Sequence, residues 1–311
     1  KTLHQPILSR IKLMAGMDIA KNRCFQDGSF HLTVDNHIID IRVSTIPTVN
    51  GEKAVLRLLN RNRFLLNLEQ LGFNEKQINS IYKMLNIPYG MILVCGPTGS
   101  GKTTTLYSML NYINKPNKNI VTLEDPIEFA LPGINQVQIN PQVGLTFADG
   151  LRAILRQDPN IIMVGEIRDI ETMSTVLMAA ETGHVILSTL HTFGAAKTIN
   201  RIIDMFPPYQ QQQARVQLST VIEAVICQQL LPRKDGKGRA VAVEIMIATP
   251  AIRNLIREDK LHQIDTSIET GFVKGMRTMD QSLLELYSQG IISKETLLDN
   301  AINLDYVKRI I

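Results

Sequence analysis

Near the start of the chain the apolar residues Ile7, Leu8, Ile11 and Met14 recur at helical spacing, and Gly16 closes the pattern. The period then changes to two. Phe30, Leu32 and Val34 alternate with polar residues, Asp35-Asn36 reads as a turn, and Ile39, Ile41 and Val43 continue the alternation. Asn50-Gly51 is a hairpin signal, because both residues accept positive φ, and Ala54–Leu59 supplies a further strand. Residues 1–62 therefore read as a small α+β domain on an antiparallel sheet, followed by a polar linker at 63–70. Asn74, with Gln77 three residues on, caps a helix whose apolar face carries Ile78, Ile81 and Leu85.

After Gly90 the pattern becomes one of buried strands separated by helices. Met91–Cys95, Ile120–Leu123, Ile161–Val164 and Val185–Thr189 are short β-rich apolar runs, and helical segments at 102–113, 147–157, 169–182 and 194–205 lie between them. This order predicts an α/β domain over 71–311, with a mostly parallel sheet covered by helices on both faces. From Pro207 the chain reads as predominantly helical, with one strand pair near Ala240–Ile247.

Composition narrows the picture. Of the 311 residues, 44% are hydrophobic and 20% charged, the balance of a globular protein with a core. The formal net charge of +4 is too small to argue for bulk nucleic-acid binding, and the basic residues form no long run. Cys24, Cys95 and Cys227 share no C-x-x-C spacing, so a reducing compartment is expected. No apolar stretch approaches the roughly 20 residues that span a bilayer, and no signal peptide opens the chain. The first residue is not Met, which suggests a fragment with an upstream domain. A cytoplasmic protein that docks on a membrane partner is the expectation.

The chemistry is densest after the first buried strand. Gly96, Pro97, Thr98, Gly99, Ser100, Gly101, Lys102 and Thr103 fill the pattern G-x-x-x-x-G-K-[ST], with a strand before it and a helix after it. Glycines there let backbone N–H groups wrap the phosphates of ATP or GTP, and the helix points its positive end at them. Lys102 brings a point charge, the Thr103 hydroxyl can ligate Mg²⁺, and Thr104 completes the nucleotide-binding run. Hydrolysis also needs carboxylates near the γ-phosphate. Two acidic segments end strands, Thr122–Glu128 and Ile161–Glu166, and α/β topology brings both to one edge of the sheet.

Arg152 and Arg156 are four apart on a predicted helix, presenting either a paired cation for phosphate or a solvated face. Arg168, just past Glu166, has the same two readings. His184 and His191 bracket a strand and point to opposite faces, so they form no joint metal site. A structural role bonded to backbone suits either; a γ-phosphate sensor at the strand's end is the sharper reading for His191.

Taken together, Gly96–Thr103, Thr122–Glu128, Leu155–Asp169 and Gly183-His184 with Thr189-Leu190-His191-Thr192 resemble the secretion ATPases. These are the type II secretion and type IV pilus motors, with their Walker A, aspartate-box, Walker B and histidine-box motifs in order. Asn160 departs from the usual Asp. The resemblance implies a hexameric, cytoplasmic ATPase at the inner face of the membrane, acting on a platform protein of a pilus or secretion machine, with no direct nucleic acid. It implies that Glu166 is catalytic and that Glu128 helps to hold water or Mg²⁺. It also implies that Leu71, Gly72 and Phe73 border the adenine, and that Arg152 and Arg156 lie near the nucleotide. The N-terminal domain resembles the family's PAS-like domain, whose arginines complete an ATP site; Arg42 and Arg57 are the matching residues, and Ser29 stands where relatives commonly carry Arg.

Within the family the signals divide. Ser9–Lys12 and Arg42–Pro47 resemble PilB/GspE-like assembly and secretion motors, but a short Arg233–Arg239 turn replaces their tetracysteine insertion. Ala251–Glu258 and Gly275–Asp280 resemble the PilT-like retraction ATPases, and that reading is favoured; packing of Ile252, Leu255 and Ile256 is the plain alternative for the first of these segments. Two rivals from other classes are a RecA-like nucleic-acid translocase, which the absence of Trp and 5% aromatic content disfavour, and a non-catalytic nucleotide-binding scaffold.

Overall fold

The computed structural model describes residues 3–34, 37–60 and 66–311. The chain divides into two compact units, Lys1–Leu65 and Leu66–Ile311. The expected Asp35-Asn36 turn and the start of the expected linker, 63–65, lie outside the described residues.

The first unit holds α1 (His4–Met14) and three antiparallel strands, β1 (Gln26–Val34), β2 (His37–Thr48) and β3 (Gly51–Asn60), in that order. Ile41 and Val43 of β2 are buried with Ala15 and Met17, while Phe30 and Ile11 pack around them. Of the four periodic residues of α1, Leu8 is buried and Ile11 and Met14 are half-buried, but the periodicity misses one buried position. Ile7 is exposed, and the residues that bury are Leu8 and Lys12. The reason is an ion pair: the Lys12 ammonium donates to Glu52 of β3 (2.6 Å) and to the Lys21 carbonyl (3.0 Å), with both charged groups removed from water. A buried charge persists only when paired in this way.

The second unit begins with a short 3₁₀ turn, Leu68–Leu71, where the sequence had suggested linker. Next comes α2 (Glu75–Leu85), whose cap is reciprocal: Asn74 Oδ1 accepts from the Gln77 N–H and Gln77 Oε1 from the Asn74 N–H. The alternating part follows as β4 (Gly90–Cys95), α3 (Lys102–Ile113), β5 (Ile120–Glu124), β6 (Asn135–Gln138), α4 (Phe147–Ile154), β7 (Ile161–Val164), α5 (Ile170–Glu181), β8 (Val185–Leu190) and α6 (Ala195–Asp204). Then α7 (Pro208–Val221) runs without a loop into β9 (Ile222–Pro232), which turns back as β10 (Arg239–Ile247). Helices α8 (Pro250–Arg257), α9 (Ile264–Thr270), α10 (Met279–Ser288), α11 (Lys294–Asn300) and α12 (Leu304–Ile310) complete the unit.

The seven strands form one sheet in the order β10-β9-β4-β8-β7-β5-β6. All neighbours are parallel except β10 on β9. Every residue of β4, β5, β7 and β8 is buried, which is why these strands read as unbroken apolar runs. Met91, Leu93 and Cys95 enter the core shared with α4–α7, and Ile92 and Val94 are equally buried on the other face. Asn160, where an Asp was expected, needs only an acceptor: its Oδ1 takes the Asn119 N–H at 2.7 Å and so ties the entry of β7 to that of β5. An amide and a carboxylate serve that bond equally well.

The segment Ala251–Glu258 packs through Ile252 and Ile256, both fully buried. Its Arg253 donates to the Ser219 (3.0 Å), Thr220 (2.7 Å) and Ala248 (3.1 Å) carbonyls and to Glu223 (2.5 Å), closing the last turn of α7.

Candidate functional site

The parallel order fixes where the site must be. Ligands of such sheets lie beyond the carboxyl ends of the strands, and there β4, β7 and β8 deliver Gly96, Gly165 and His191 side by side. The loop Gly96–Gly101 leaves β4 and enters α3 with Gly101 at φ +89°, a left-handed conformation that a side chain would strain. No side chain caps the N-terminus of α3, so its positive end is left for an anion.

Lys102, 7% exposed, folds back on its own loop. Its ammonium donates to the Gly96 (2.8 Å) and Pro97 (3.0 Å) carbonyls and lies 3.3 Å from His191 Nδ1. Burial pushes the Lys102 pKa down from its ordinary value, while the Cys95 thiol and the Glu166 carboxylate oppose that shift. Ser100 Oγ is buried without any hydrogen-bond partner. An orphaned hydroxyl, an ammonium held by loop carbonyls and an uncapped helix start gather donors on one loop. A polyphosphate fits it.

Glu166 follows β7 on a turn that β8 holds from the side. Ser188 Oγ donates to the Val164 carbonyl (2.7 Å), Thr189 Oγ1 to the Gly165 carbonyl (2.6 Å), and the Gly165 N–H to Leu123 (2.8 Å). The Glu166 carboxylate pairs with Arg168 and stands 3.6 Å from His191 Nε2. His191 therefore bridges Lys102 and Glu166, one nitrogen toward each. His184, in contrast, is bonded to the Ala179 carbonyl (2.9 Å), as the plain structural reading expects.

The other acidic segment, Thr122–Glu128, divides. Glu124 is 3% exposed and held by Tyr107, Thr122 and Gln136; burial and this carboxylate push the Tyr107 pKa up. Glu128 is half-buried in the following loop, its N–H donating to Tyr107 Oη (3.3 Å). Gly72 lies against Val241 of β10 and Phe73 is buried beside it, with Leu71 half-buried.

The arginines separate into three places. Arg152 is exposed and pairs with Asp149 (3.0 Å) and Glu171. Helix α4 ends at Ile154, earlier than the spacing predicts, so Arg156 does not share its face; it turns back to donate to the Arg152 carbonyl (2.9 Å) at the helix end. In the first unit Ser29, Arg42 and Arg57 are in register across β1, β2 and β3, on the sheet face opposite Ile41 and Val43.

Two residues that sequence reasoning passed over also hold the site. Gln228 of β9 reaches the loop at Ser100 and the first turn of α3 at Thr105. Glu244 of β10, 4% exposed, accepts the Ala195 N–H (2.6 Å) at the start of α6, and so anchors the segment that leaves His191. Burial raises the Glu244 pKa. Glu244 was visible as a lone polar residue inside an apolar run, and Gln228 as the first of a glutamine pair in one.

Among the described residues no group of His, Cys, Asp and Glu gathers as a metal cluster, and no helix is long and apolar enough to cross a membrane. The family described as type II/IV secretion system protein matches residues 1–298. The chain is 46% identical over 282 residues to the twitching motility protein of Neisseria gonorrhoeae, covering 89% of this chain and 73% of that one. It is 40% identical over 322 residues to the type II secretion system protein HxcR of Pseudomonas aeruginosa, covering 96% and 67%. Among solved structures, the pilus retraction motor PilT with bound ADP superposes with a TM-score of 0.79 at 39% identity, over 92% of this chain and 80% of that one.

Proposed function

Because the chain belongs to the type II/IV secretion system protein family and is an ATP hydrolase, we propose that it is the motor that retracts a type IV pilus. The observation that carries a hydrolytic motor is the convergence of Lys102, His191 and Glu166 at the ends of three adjacent strands. Two sequence features favour retraction over assembly or secretion: the Arg233–Arg239 turn is short, and the Ala251–Glu258 segment is retraction-like. Extent of likeness does not separate the two, since HxcR matches 96% of the chain and the retraction motor 92%.

In this reading the backbone of Gly96–Gly101, with Pro97, Thr98, Gly99 and Ser100 between the glycines, cradles the phosphates together with the first turn of α3, Lys102 to Thr104. ATP supplies the phosphoanhydride bond; Thr103 and Glu128 would hold Mg²⁺, which when bound would supply Lewis-acid stabilisation of the phosphate oxygens. Lys102 gives up its loop carbonyls for phosphate oxygens. Glu166 leaves Arg168 to take a proton from the attacking water, and His191 reports the γ-phosphate to both. Leu71, Gly72 and Phe73 border the base, Arg152 and Arg156 are cations for the phosphates, and Arg42 and Arg57 are the first unit's cations for a nucleotide. The motor works as a hexamer at the cytoplasmic face of the membrane, passing its domain movement to a platform protein of the pilus machine.

The test is a clean deletion scored for surface pili and for twitching, beside a phosphate-release assay on the purified protein. Piliated, immobile cells support retraction. Bald cells transfer the protein to assembly or secretion, a reading that the likeness to HxcR keeps in view.

A further inference from the structure

Gln228 is a buried polar residue in the middle of β9, and its surroundings say what it is for. It is 2% exposed on β9, one residue past Cys227, which pairs with Cys95 at the end of β4. Its Nε2 donates to the Ser100 carbonyl at 2.6 Å, and its Oε1 accepts from Thr105 Oγ1 at 2.9 Å. One partner is acceptor only and the other supplies a proton, so the amide has a single orientation. The backbone of Gln228 is equally close: a Cβ on Gly96 would collide with the Gln228 carbonyl oxygen, and one on Gly101 would come within 3.1 Å of Nε2.

The strand's own ladder does not need this side chain, whose two bonds go to the loop and to α3; an apolar residue here would leave the Ser100 carbonyl and the Thr105 hydroxyl without their partner. The amide must therefore do something more local. A trans peptide unit is planar, and its C=O and N–H point in opposite directions. Fixing the Ser100 carbonyl toward β9 turns the Gly101 N–H away from β9, toward the hollow of the loop. We propose that Gln228 is a positioning residue for the nucleotide: by holding the Ser100 carbonyl it aims the Gly101 N–H at the phosphates. It touches no reacting atom and acts through the loop. Its hydrogen bond to Thr105 keeps the side chain extended, so that loop and first helical turn move as one piece. The inference rests on the reading of Gly96–Thr104 as a phosphate cradle.

The test compares Gln228→Met, which keeps the length and removes both hydrogen bonds, with Gln228→Glu and Thr105→Val. A carboxylate oxygen cannot donate to the Ser100 carbonyl and adds negative charge beside the phosphates. Thr105→Val leaves the Ser100 contact in place. The expected result is about a tenfold weaker ADP dissociation constant for Gln228→Met, a larger loss for Gln228→Glu, and a change within about twofold for Thr105→Val. At saturating ATP the turnover of Gln228→Met stays within about threefold of wild type while its KM rises, because substrate can still organise the loop. A merely structural role would lower the thermal midpoint and the active fraction but leave the ADP affinity of the folded fraction unchanged, which overturns the proposal. Equal losses in Gln228→Met and Thr105→Val overturn it as well.

A measurement without any variant guards against misfolding. In protein labelled with ¹⁵N-glycine, ADP should shift the Gly101 amide resonance strongly downfield, and an unmoved resonance overturns the proposal. Lys102→Met separates the two layers of the argument. If it abolishes ADP binding while Gln228→Met does not weaken it, the cradle stands and the role of Gln228 falls. If Lys102→Met binds ADP normally, the cradle itself falls.

Discussion

Replacing Glu166 by Gln changes one oxygen for nitrogen and nothing in volume, so the turn after β7 should keep its shape. Ser188, Thr189 and Leu123 hold that turn through its backbone carbonyls and N–H, none of which the substitution touches. What is lost is the proton acceptor and its charge. A positioned general base contributes about 10²- to 10⁴-fold to rate, or about 2.7–5.4 kcal/mol of barrier at 1.36 kcal/mol per decade. Nucleotide affinity should move the other way or not at all. The carboxylate stands 3.6 Å from His191, on the ring whose other nitrogen meets Lys102, and removing it takes a negative charge from beside a polyanion. Phosphate release under saturating ATP, paired with an ADP titration, reads the two quantities separately. Turnover within about threefold of wild type would falsify the assignment of Glu166 as the base. Loss of turnover with an equal loss of binding would refute the claim that the turn is held independently of its side chain.

Two further outcomes follow from buried carboxylates. Lys12→Met strands Glu52 in the first unit and should cost about 3–5 kcal/mol, whereas Lys12→Met with Glu52→Leu should recover most of it; amide exchange in β2 and β3 measures both, and equal protection in the single variant and wild type would sink the prediction. Glu244 has its pKa raised by burial above the ordinary 4.5, so the stability linked to its protonated form is complete below that pH and is lost as pH rises through the raised value. Thermal midpoints of Glu244→Gln and wild type should therefore diverge above pH 4.5 in favour of the variant, at no more than about 1.4 kcal/mol per pH unit; a constant difference across pH refutes this.

The strands and the phosphate loop were legible because their signals are local. A buried parallel strand is an apolar run, and the loop motif occupies consecutive positions between a strand and a helix. The joining of Lys102 to Glu166 through His191 followed from topology, since strands of one parallel sheet end on one side. What escaped has its partners far along the chain. Gln228 is 123 residues from Thr105 and 128 from Ser100, and Glu244 is 49 from Ala195. The edge strand β6 is built from Asn135-Gln136-Val137-Gln138, which carries no apolar run because an edge needs none. Lys12 escaped the helical periodicity for a similar reason: what buries it is an acid 40 residues later.

A protein segment that passes from helix to strand with no residue between has no slack. At one margin of the sheet α7 ends at Val221 and β9 starts at Ile222, with Arg253 of α8 clamping the junction and Glu223. Five residues on, roughly 16 Å along the strand, Gln228 grips the loop beside α3. One continuous strand thus joins the two margins, with a bulge at Glu223 where its pairing with β4 shifts: the corner of α7 and α8 and the phosphate loop are the two ends of a single element.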